Sequence, residues 1–295
     1  MHVTAAEPFL PDILSDRLES LAIELPLAAG QFVGRLAPQV RLAIGELVRS
    51  MNCYYSNLIE GHDTHPRDID RALADYSAKP EKRALQLEAR AHIEVQRMID
   101  GGQAPKVSPL SLEYILWTHR EFCSRLPPEL LLIDDPKTKE KLAVVPGELR
   151  TRMVAVGVHV PPPPEDLPAF MARFEAAYRS DSKLKQLVGV AASHHRLAWI
   201  HPFLDGNGRV ARLISHAMLK ESHRVLRIFP VDVPRPGAVH GAATRAGLLE
   251  RSHSTSGARR GTKGHARERR AQADASGPGA RCRVARRRAI DRSGK

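Results

Sequence analysis

Apolar residues recur every three or four positions through most of residues 1–230, which is the period of an amphipathic α-helix. The clearest stretch covers residues 42–60, where one face carries Ile44, Leu47, Val48, Met51, Tyr55 and Leu58. Gly61 follows as a natural helix stop, because glycine accepts the left-handed backbone that ends many helices. Four more helices are predicted over residues 83–99, 111–126, 166–178 and 183–200, with Ser108 or Ser111 as the N-cap of the second.

One stretch between these helices has the character of β-structure. Residues 141–160 contain the turn PGE and the β-branched run MVAVGVHV, and four prolines follow from Pro161. The pattern predicts a β-hairpin that is ended by the prolines. We therefore expect a mainly α-helical fold with one small hairpin.

Three further features bear on where the protein works. No run of about 18 uninterrupted apolar residues is present, and residues 1–16 lack the basic start and the apolar stretch of a secretory leader. The cysteines, Cys53, Cys123 and Cys282, are odd in number, far apart and without CxxC spacing, which favours a reducing compartment. We expect a cytoplasmic protein that does not associate with membranes.

Positive charge is concentrated at the end of the chain. Residues 231–295 hold 16 of the 45 Lys and Arg residues but only 5 of the 33 Asp and Glu residues, whereas the preceding body is nearly neutral. This tail is rich in Gly, Ala, Ser and Arg and has no helical or strand period, so we expect it to be disordered. Three interpretations stay open: an arm that neutralises nucleic-acid phosphates, a solvated tail without a specific role, or a shifted reading frame from about Pro236.

Residues 201–218, HPFLDGNGRVARLISHAM, combine chemistry-bearing side chains with a change in local structure. A polar loop with glycines at 206 and 208 runs directly into a helix-periodic segment. Glycine lets the backbone approach a ligand closely, and the first N–H groups of a helix are unsatisfied donors at the positive end of its dipole. The pattern predicts an anion site at the start of this helix.

The side chains around this loop suit phosphate chemistry. Arg209 and Arg212 are three residues apart, so we expect both guanidinium groups on one side of the helix, where they can reach separate phosphates. Asp205 offers a hard oxygen ligand for the Mg²⁺ that accompanies phosphates. His201 can accept a proton near neutral pH. Together these four residues predict a phosphate-transfer site.

Three other interpretations compete for the same residues. The string GNGRVA, residues 206–211, fits the GxGxxA dinucleotide fingerprint, but a proline and a polar loop stand where a buried strand should end. His194, His195 and His201 could bind a metal, yet no HExxH or His/Cys/Cys set accompanies them, and His194 and His195 are expected to be satisfied helix histidines. An ordinary DGNG turn would leave the two helically spaced arginines unexplained.

The loop also resembles a known family. Residues 201–212, HPFLDGNGRVAR, match without a gap the HxFx(D/E)GNGRxxR signature of the Fic family (filamentation induced by cyclic AMP). Residues 146–157, PGELRTRMVAVG, resemble the flap hairpin of that family, and the similarity extends over residues 10–231. The resemblance implies an N-terminal helical region at 1–80 with an inhibitory helix and a Fic-type helical core with its flap at 81–231. The basic tail at 232–295 lies outside the resemblance and is assigned from its composition.

Most Fic proteins with this motif transfer AMP from ATP to a hydroxyl side chain of a target protein, so the resemblance implies a protein adenylyltransferase. Carried over residue by residue, it assigns the general base to His201, Mg²⁺ binding to Asp205 and the anchoring of the loop to Phe203. The phosphates of ATP would be held by Gly206, Asn207, Gly208, Arg209 and Arg212, the last of these on the γ-phosphate.

A second short motif lies at the end of the best-defined predicted helix. Residues 56–61, SNLIEG, resemble the inhibitory motif (S/T)xxxE(G/N) of the subclass with an N-terminal inhibitory helix. Glu60 is an anion at the negative end of that helix, so it requires a compensating cation. By resemblance the cation is Arg212, and Ser56 would orient the carboxylate. The alternative is a glutamate exposed to water.

Several expectations about partners complete the interpretation. The flap residues Gly147, Glu148 and Arg150 would receive the target as an extra strand, with Arg150 either on a phosphate or in solvent. The target would be a protein with a Ser, Thr or Tyr hydroxyl, including the chain itself, and a homodimer stays open. The alternatives are an inactive or truncated Fic scaffold whose tail binds nucleic acid, and an enzyme that removes AMP.

Overall fold

The computed structural model of the chain describes residues 1–8, 10, 12–61, 80–135, 140–222 and 288–289. These residues belong to one compact unit, made of Met1–Asp232 together with Val284–Lys295. A second unit, Val233–Arg283, lies outside the described residues. The expectation of a disordered tail therefore concerns residues that are not described, apart from residues 288 and 289.

The described part of the chain is mostly helical, as the pattern predicts. Its seven α-helices are α1 (Asp16–Gly34), α2 (Pro38–Ile59), α3 (Pro80–Asp100), α4 (Leu112–Cys123), α5 (Leu167–Tyr178), α6 (Lys183–Ile200) and α7 (Asn207–Ser222). Short 3₁₀ turns cover Pro128–Leu131 and Pro164–Asp166. None of the helices among the described residues is apolar over a length that would cross a bilayer.

Local chemistry explains where several helices begin and end. Ser111 caps α4, since its hydroxyl accepts a hydrogen bond from the Tyr114 N–H at 3.2 Å. Helix α2 begins with a proline at its first position and ends just before Gly61, whose φ is +87°. Helix α4 ends at Cys123, three residues earlier than the pattern predicts.

The small sheets are arranged differently from the predicted hairpin. Strand β1 (Leu132–Asp134) pairs antiparallel with β2 (Lys141–Ala143), and β3 (Val154–Ala155) pairs with β4 (Arg288–Ala289). The expected hairpin over residues 141–160 forms in part, because an antiparallel bridge joins Val156 and His159 through N–H···O distances of 2.9 and 3.0 Å. Its first strand, β2, pairs with β1 instead, and the Arg150 N–H donates to the carbonyl of Pro202 at 2.9 Å rather than to a neighbouring strand.

The main apolar core holds α3 to α7 together, and α6 packs along α7 within it. Its fully buried large side chains include Phe122, Phe170, Phe174, Leu197, Ile200 and Phe203. A smaller cluster of Cys53, Ala89 and Ile93 joins α2 to α3. Helix α3 also crosses the interior, but it carries buried polar residues as well, among them Gln86, Glu88, His92 and Gln96. Of these polar residues, Glu88, His92 and Gln96 lie beside α7, whose N-terminus begins the candidate site.

Candidate active site

The loop between α6 and α7 begins with a strained residue. His201 is the C-cap of α6 and has φ +51° and ψ 61°, a left-handed conformation that is rare outside glycine. Its carbonyl accepts a hydrogen bond from Arg150 Nε at 2.8 Å, which helps to hold this backbone. The residue is 4% exposed. Strain of this kind is typical of functional sites, where the surrounding structure fixes the residue.

Asn207 and Phe203 close the loop from the inside. The Asn207 side chain accepts from the Phe203 N–H at 2.9 Å and donates to the Phe203 carbonyl at 2.8 Å. Phe203 is fully buried, as expected for an anchor. The Asn207 amide is thus committed to the loop itself, so an anion at this place would meet the backbone N–H groups of the first helical turn rather than this side chain.

Two glycines shape the start of α7. Gly206 has φ +77° and its carbonyl accepts from the Val210 N–H at 3.0 Å, so it turns the chain into the helix. Gly208 lies in the first turn, and a Cβ built there would collide with Oε1 of Glu60. A carboxylate therefore already lies against the positive end of α7.

The Glu60 carboxylate also reaches the second motif arginine. Glu60 Oε1 accepts from Arg212 Nη2 at 2.8 Å, and the Ser56 hydroxyl accepts from Arg212 Nε at 2.8 Å. Both side chains of the ion pair are mostly buried. The pairing of Glu60 with Arg212 is confirmed, and exposure of Glu60 to water is excluded. The expectation for Ser56 changes, because its hydroxyl binds the guanidinium.

Arg209 points to a different partner. Its guanidinium forms an ion pair with Glu88 of α3, and both side chains are buried. Its carbon Cζ also lies 5.2 Å from the centre of the Phe122 ring. The two arginines therefore do not extend together toward one polyphosphate as their spacing suggests, because α3 supplies a buried carboxylate on one side and α2 supplies Glu60 on the other.

Asp205 is the residue whose chemistry suits Mg²⁺. Its side chain is 29% exposed just before α7, and Oδ2 lies 3.7 Å from Nη2 of Arg209. No group of three or more His, Cys, Asp or Glu that could hold a metal occurs within the described ranges. In nucleotide sites Mg²⁺ commonly takes one or two carboxylates and completes its shell with phosphate oxygens and water. One accessible carboxylate beside an anion site fits that arrangement.

The flap residues take positions that the sequence did not predict. Glu148 is exposed, whereas Gly147 is buried with φ +80°, and a Cβ there would meet the Arg120 side chain at 2.9 Å. Arg150 is 3% exposed, so the solvated alternative is wrong. Its guanidinium binds the carbonyls of His201, Arg152 and Pro162, and burial lowers its pKa to about 10. Arg150 therefore fastens the flap to the loop.

The comparisons with known proteins agree with this geometry. Residues 109–219 match the model of the Fic/DOC family. The chain carries a Fic/DOC domain. Over 75 residues the chain is 47% identical to a protein named "Protein adenylyltransferase Fic" from Drosophila willistoni, a match that spans 25% of this chain and 15% of that relative. The chain thus covers only a small part of the relative's length.

Solved structures show the same fold over a larger part of the chain. A Fic family protein from Desulfovibrio desulfuricans aligns with a TM-score of 0.54 over 75% of this chain and 62% of that chain, at 18% identity. A fragment of Fic-1 from C. elegans aligns with a TM-score of 0.52 over 70% of this chain and 57% of that chain, at 20% identity. At these identities the similarity concerns the fold alone.

His119 of α4 is a residue of the Fic domain that the sequence interpretation did not include. It is fully buried, its ring is stacked on Phe203 with centroids 3.8 Å apart, and its Nδ1 accepts from the Gly147 N–H at 2.8 Å. Burial lowers its pKa to about 4, so the ring is neutral near pH 7. A histidine placed between Ile115 and Phe122 on the core face of a helix is the one sequence feature that indicates it.

Helix α2, which carries Glu60, is also attached to the Fic domain at its middle. Arg49 Nε donates to Asp100 at 2.8 Å, and His216 of α7 lies 2.8 Å from the other Asp100 oxygen. Burial alone would raise the pKa of Asp100, but the hydrogen bonds from His216 and Arg49 hold it below its ordinary value. Glu46 extends this contact to Arg97 of α3 at 2.7 Å.

The competing interpretations of the motif find no support in the geometry. The GNGRVA segment is preceded by helix α6 and a loop rather than by a strand, so it is not a dinucleotide fingerprint. His194 hydrogen-bonds the Ser215 hydroxyl at 2.9 Å, and burial lowers its pKa, as expected for a satisfied helix histidine. His195 is exposed on the same helix.

Proposed function

We propose that this chain is a protein adenylyltransferase that transfers AMP from ATP to a hydroxyl side chain of a protein, and that Glu60 keeps it inactive. One observation carries the proposal. The Glu60 carboxylate lies against Gly208 in the first turn of α7 and pairs with Arg212 at 2.8 Å. A helix N-terminus and a guanidinium that together hold a carboxylate are equally suited to a phosphate.

Each functional residue of the loop has a separate role in the reaction. With Glu60 displaced, Arg212 and the amides of the first helical turn bind the phosphates, and Asp205 would hold Mg²⁺, which would neutralise phosphate charge. The acceptor hydroxyl oxygen attacks the α-phosphorus, the bond to the β-phosphate oxygen breaks, and pyrophosphate leaves. His201 takes the hydroxyl proton. Such a transfer depends on alignment and charge stabilisation more than on covalent help from the enzyme.

The inhibition follows from competition for one cation. Arg212 has its Nε on Ser56 and its Nη2 on Glu60, so its donors on that side are occupied by α2. A γ-phosphate at this position would meet the negative charge of Glu60 before it met Arg212, and like charges disfavour such an approach. ATP then binds weakly or in an unproductive orientation.

The relatives support the chemistry without extending to the whole chain. The Drosophila proteins that match are named protein adenylyltransferases, and the matched 75 residues cover 25% of this chain. The proposed acceptors are hydroxyl side chains of target proteins and of the chain itself. The buried free cysteines Cys53 and Cys123 suit the cytoplasm that we propose as the location.

The test is label transfer from four nucleotides. Wild type, Glu60→Gly and Glu60→Gln are incubated with Mg²⁺ and with ATP, GTP, UTP or CTP, each labelled at the α-phosphate, and protein-bound label is counted. We expect label from ATP on both Glu60 variants and little on the wild type. Glu113→Gln, which removes one exposed carboxylate from α4, is the matched control and should resemble the wild type. No label on either Glu60 variant from any nucleotide would refute the proposal.

A further inference from the structure

The imidazole of His119 connects two parts of the candidate site. Its Nδ1 accepts from the backbone N–H of Gly147 in the flap at 2.8 Å. A backbone amide can only donate, so Nδ1 carries no proton and the proton of the neutral ring is on Nε2. Nε2 lies 3.3 Å from the Asp205 carbonyl and 3.3 Å from Cys123 Sγ. The flap and the Asp205 backbone are therefore joined through one ring.

Packing leaves this ring little freedom. It is stacked on Phe203 with an interplanar angle of 1°, and a Cβ at Gly206 would lie 3.5 Å from His119 Cδ2. Phe203 is in turn hydrogen-bonded by Asn207 at the start of α7. The loop that carries Asp205 thus rests on His119, and a change in the ring would be transmitted to that loop.

We propose that His119 is a positioning residue of the transfer reaction, which sets the Asp205 loop for Mg²⁺·ATP through Nε2 and the flap for the acceptor protein through Nδ1. This inference rests on the proposed function. It differs from a merely structural role because it assigns the two ring nitrogens to two separable tasks. A core histidine that only fills space would affect stability and nothing else.

Three variants separate these tasks, each made in the Glu60→Gly background so that activity can be measured. His119→Phe keeps a ring on Phe203 and removes both hydrogen bonds. His119→Asn keeps an acceptor near the position of Nδ1 and loses the donor at Nε2. Cys123→Ala removes the sulfur beside Nε2 and leaves the contacts to Gly147 and Asp205, and it is the matched control.

Two readouts are needed, one of which does not require catalysis. The first is the Mg²⁺ concentration that gives half-maximal binding of a fluorescent ATP analogue. The second is kcat and KM for transfer to an acceptor protein. Loss of one hydrogen bond corresponds to a change of roughly 2- to 10-fold in either quantity.

We expect His119→Phe to raise both the Mg²⁺ requirement and the KM for the acceptor. His119→Asn should raise the Mg²⁺ requirement alone, because its amide oxygen still holds the flap. Cys123→Ala should match the parent. If both His119 variants bind the ATP analogue with the parental Mg²⁺ dependence and turn over with parental kcat and KM, the proposal is wrong.

Two outcomes keep this test separate from the proposed function. A Glu60→Gly parent that transfers no label would overturn the adenylyltransferase proposal, while the Mg²⁺ dependence of ATP binding would still decide the role of Nε2. A His119→Phe chain that fails to fold, as judged by its circular dichroism, leaves the decision to His119→Asn. Parental Mg²⁺ dependence in that variant would also overturn the assignment of Nε2.

Discussion

Two arginines on the same helical turn have different environments. Arg209 pairs with Glu88, and their side chains are 7% and 5% exposed, whereas Arg212 pairs with Glu60, and theirs are 11% and 15% exposed. Glu88 belongs to α3 in the interior, and Glu60 is the C-cap of α2 at the edge of the loop. The first pair is part of the core, and the second lies where a ligand can replace the carboxylate.

The different partners of Arg209 and Arg212 indicate different roles for these two residues, although the motif contains both as arginines. Arg209 has a buried counter-ion and an aromatic ring below it, so it fixes the start of α7 to α3. Arg212 has a counter-ion whose removal exposes a cation to an incoming phosphate. We infer that Arg209 acts mainly on the structure of the loop and that Arg212 acts on the nucleotide.

The largest expected effect concerns the interior pair. Glu88→Gln leaves the Arg209 guanidinium buried without its carboxylate, which should lower the free energy of unfolding by about 3–5 kcal/mol. It should not raise AMP transfer, because Glu60 still covers Arg212. Urea denaturation and label incorporation measure the two quantities. A stable Glu88→Gln protein with increased AMP transfer would mean that Arg209, rather than Arg212, is the arginine whose counter-ion blocks the nucleotide.

The next effect concerns the exchangeable pair. Glu60→Gln should tighten ATP binding by roughly 10- to 100-fold, the range of a coupling free energy between a regulatory contact and a ligand. Its free energy of unfolding should fall less than that of Glu88→Gln, since Arg212 keeps its hydrogen bond to the Ser56 hydroxyl and this pair is the less buried of the two. Isothermal titration of ATP at fixed Mg²⁺ gives the affinity, and Glu113→Gln is the control. An affinity equal to that of the wild type would show that Glu60 does not compete with ATP.

The smallest effect is a pH dependence that arises beside the Arg212 pair. His92 of α3 lines a cavity of about 20 Å³ with Ser56 and Arg212, and its ring nitrogens have no hydrogen-bond partner among the described residues. Burial lowers the pKa of His92 to about 3. Above pH 6.5 the ring is neutral in both the folded and the unfolded chain, so its protonation does not change the free energy of unfolding. As the pH falls from 6.5 toward 3, the unfolded chain binds a proton that the folded chain does not, so stability decreases.

For one such histidine the loss between pH 7 and pH 5 is about 2 kcal/mol. Urea denaturation at both pH values measures it, and His92→Leu should lose less stability on acidification than the wild type. His119 also has a lowered pKa, so the comparison with the variant isolates His92. An equal loss in both proteins would mean that His92 is protonated in the folded state.

Much of the fold and the centre of the site could be predicted from sequence. The bounds of α6, Lys183–Ile200, were predicted without error, because Ser182 caps its start and the polar loop ends it. The helix-end charge of Glu60 indicated that it needs a cation, and the resemblance to the Fic family implied that this cation is Arg212. The first prediction depends on a local sequence pattern, and the second depends on a family motif.

The rest depends on contacts that a periodicity cannot show. Helix α1 buries its small residues Ala22 and Ala29 and exposes Leu21 and Leu25, so its apolar pattern does not mark the buried face. Glu88 and His119 are polar residues on faces that enter the core, and a hydrophobic pattern places such residues in solvent. Strand β2 pairs with β1, which precedes it in the chain. The segment after β2 is held elsewhere, because the Arg150 N–H donates to the carbonyl of Pro202.

The proposed reaction requires that the loop binds the triphosphate and that His201 removes the proton of the acceptor. The most direct measurement compares Glu60→Gly with Glu60→Gly/His201→Ala by intact-protein mass spectrometry after incubation with Mg²⁺ and ATP, with the ATP affinity of both measured in parallel. We expect an added AMP on the first protein and none on the second, at similar ATP affinity. An AMP adduct of equal yield on both proteins would rule out His201 as the base.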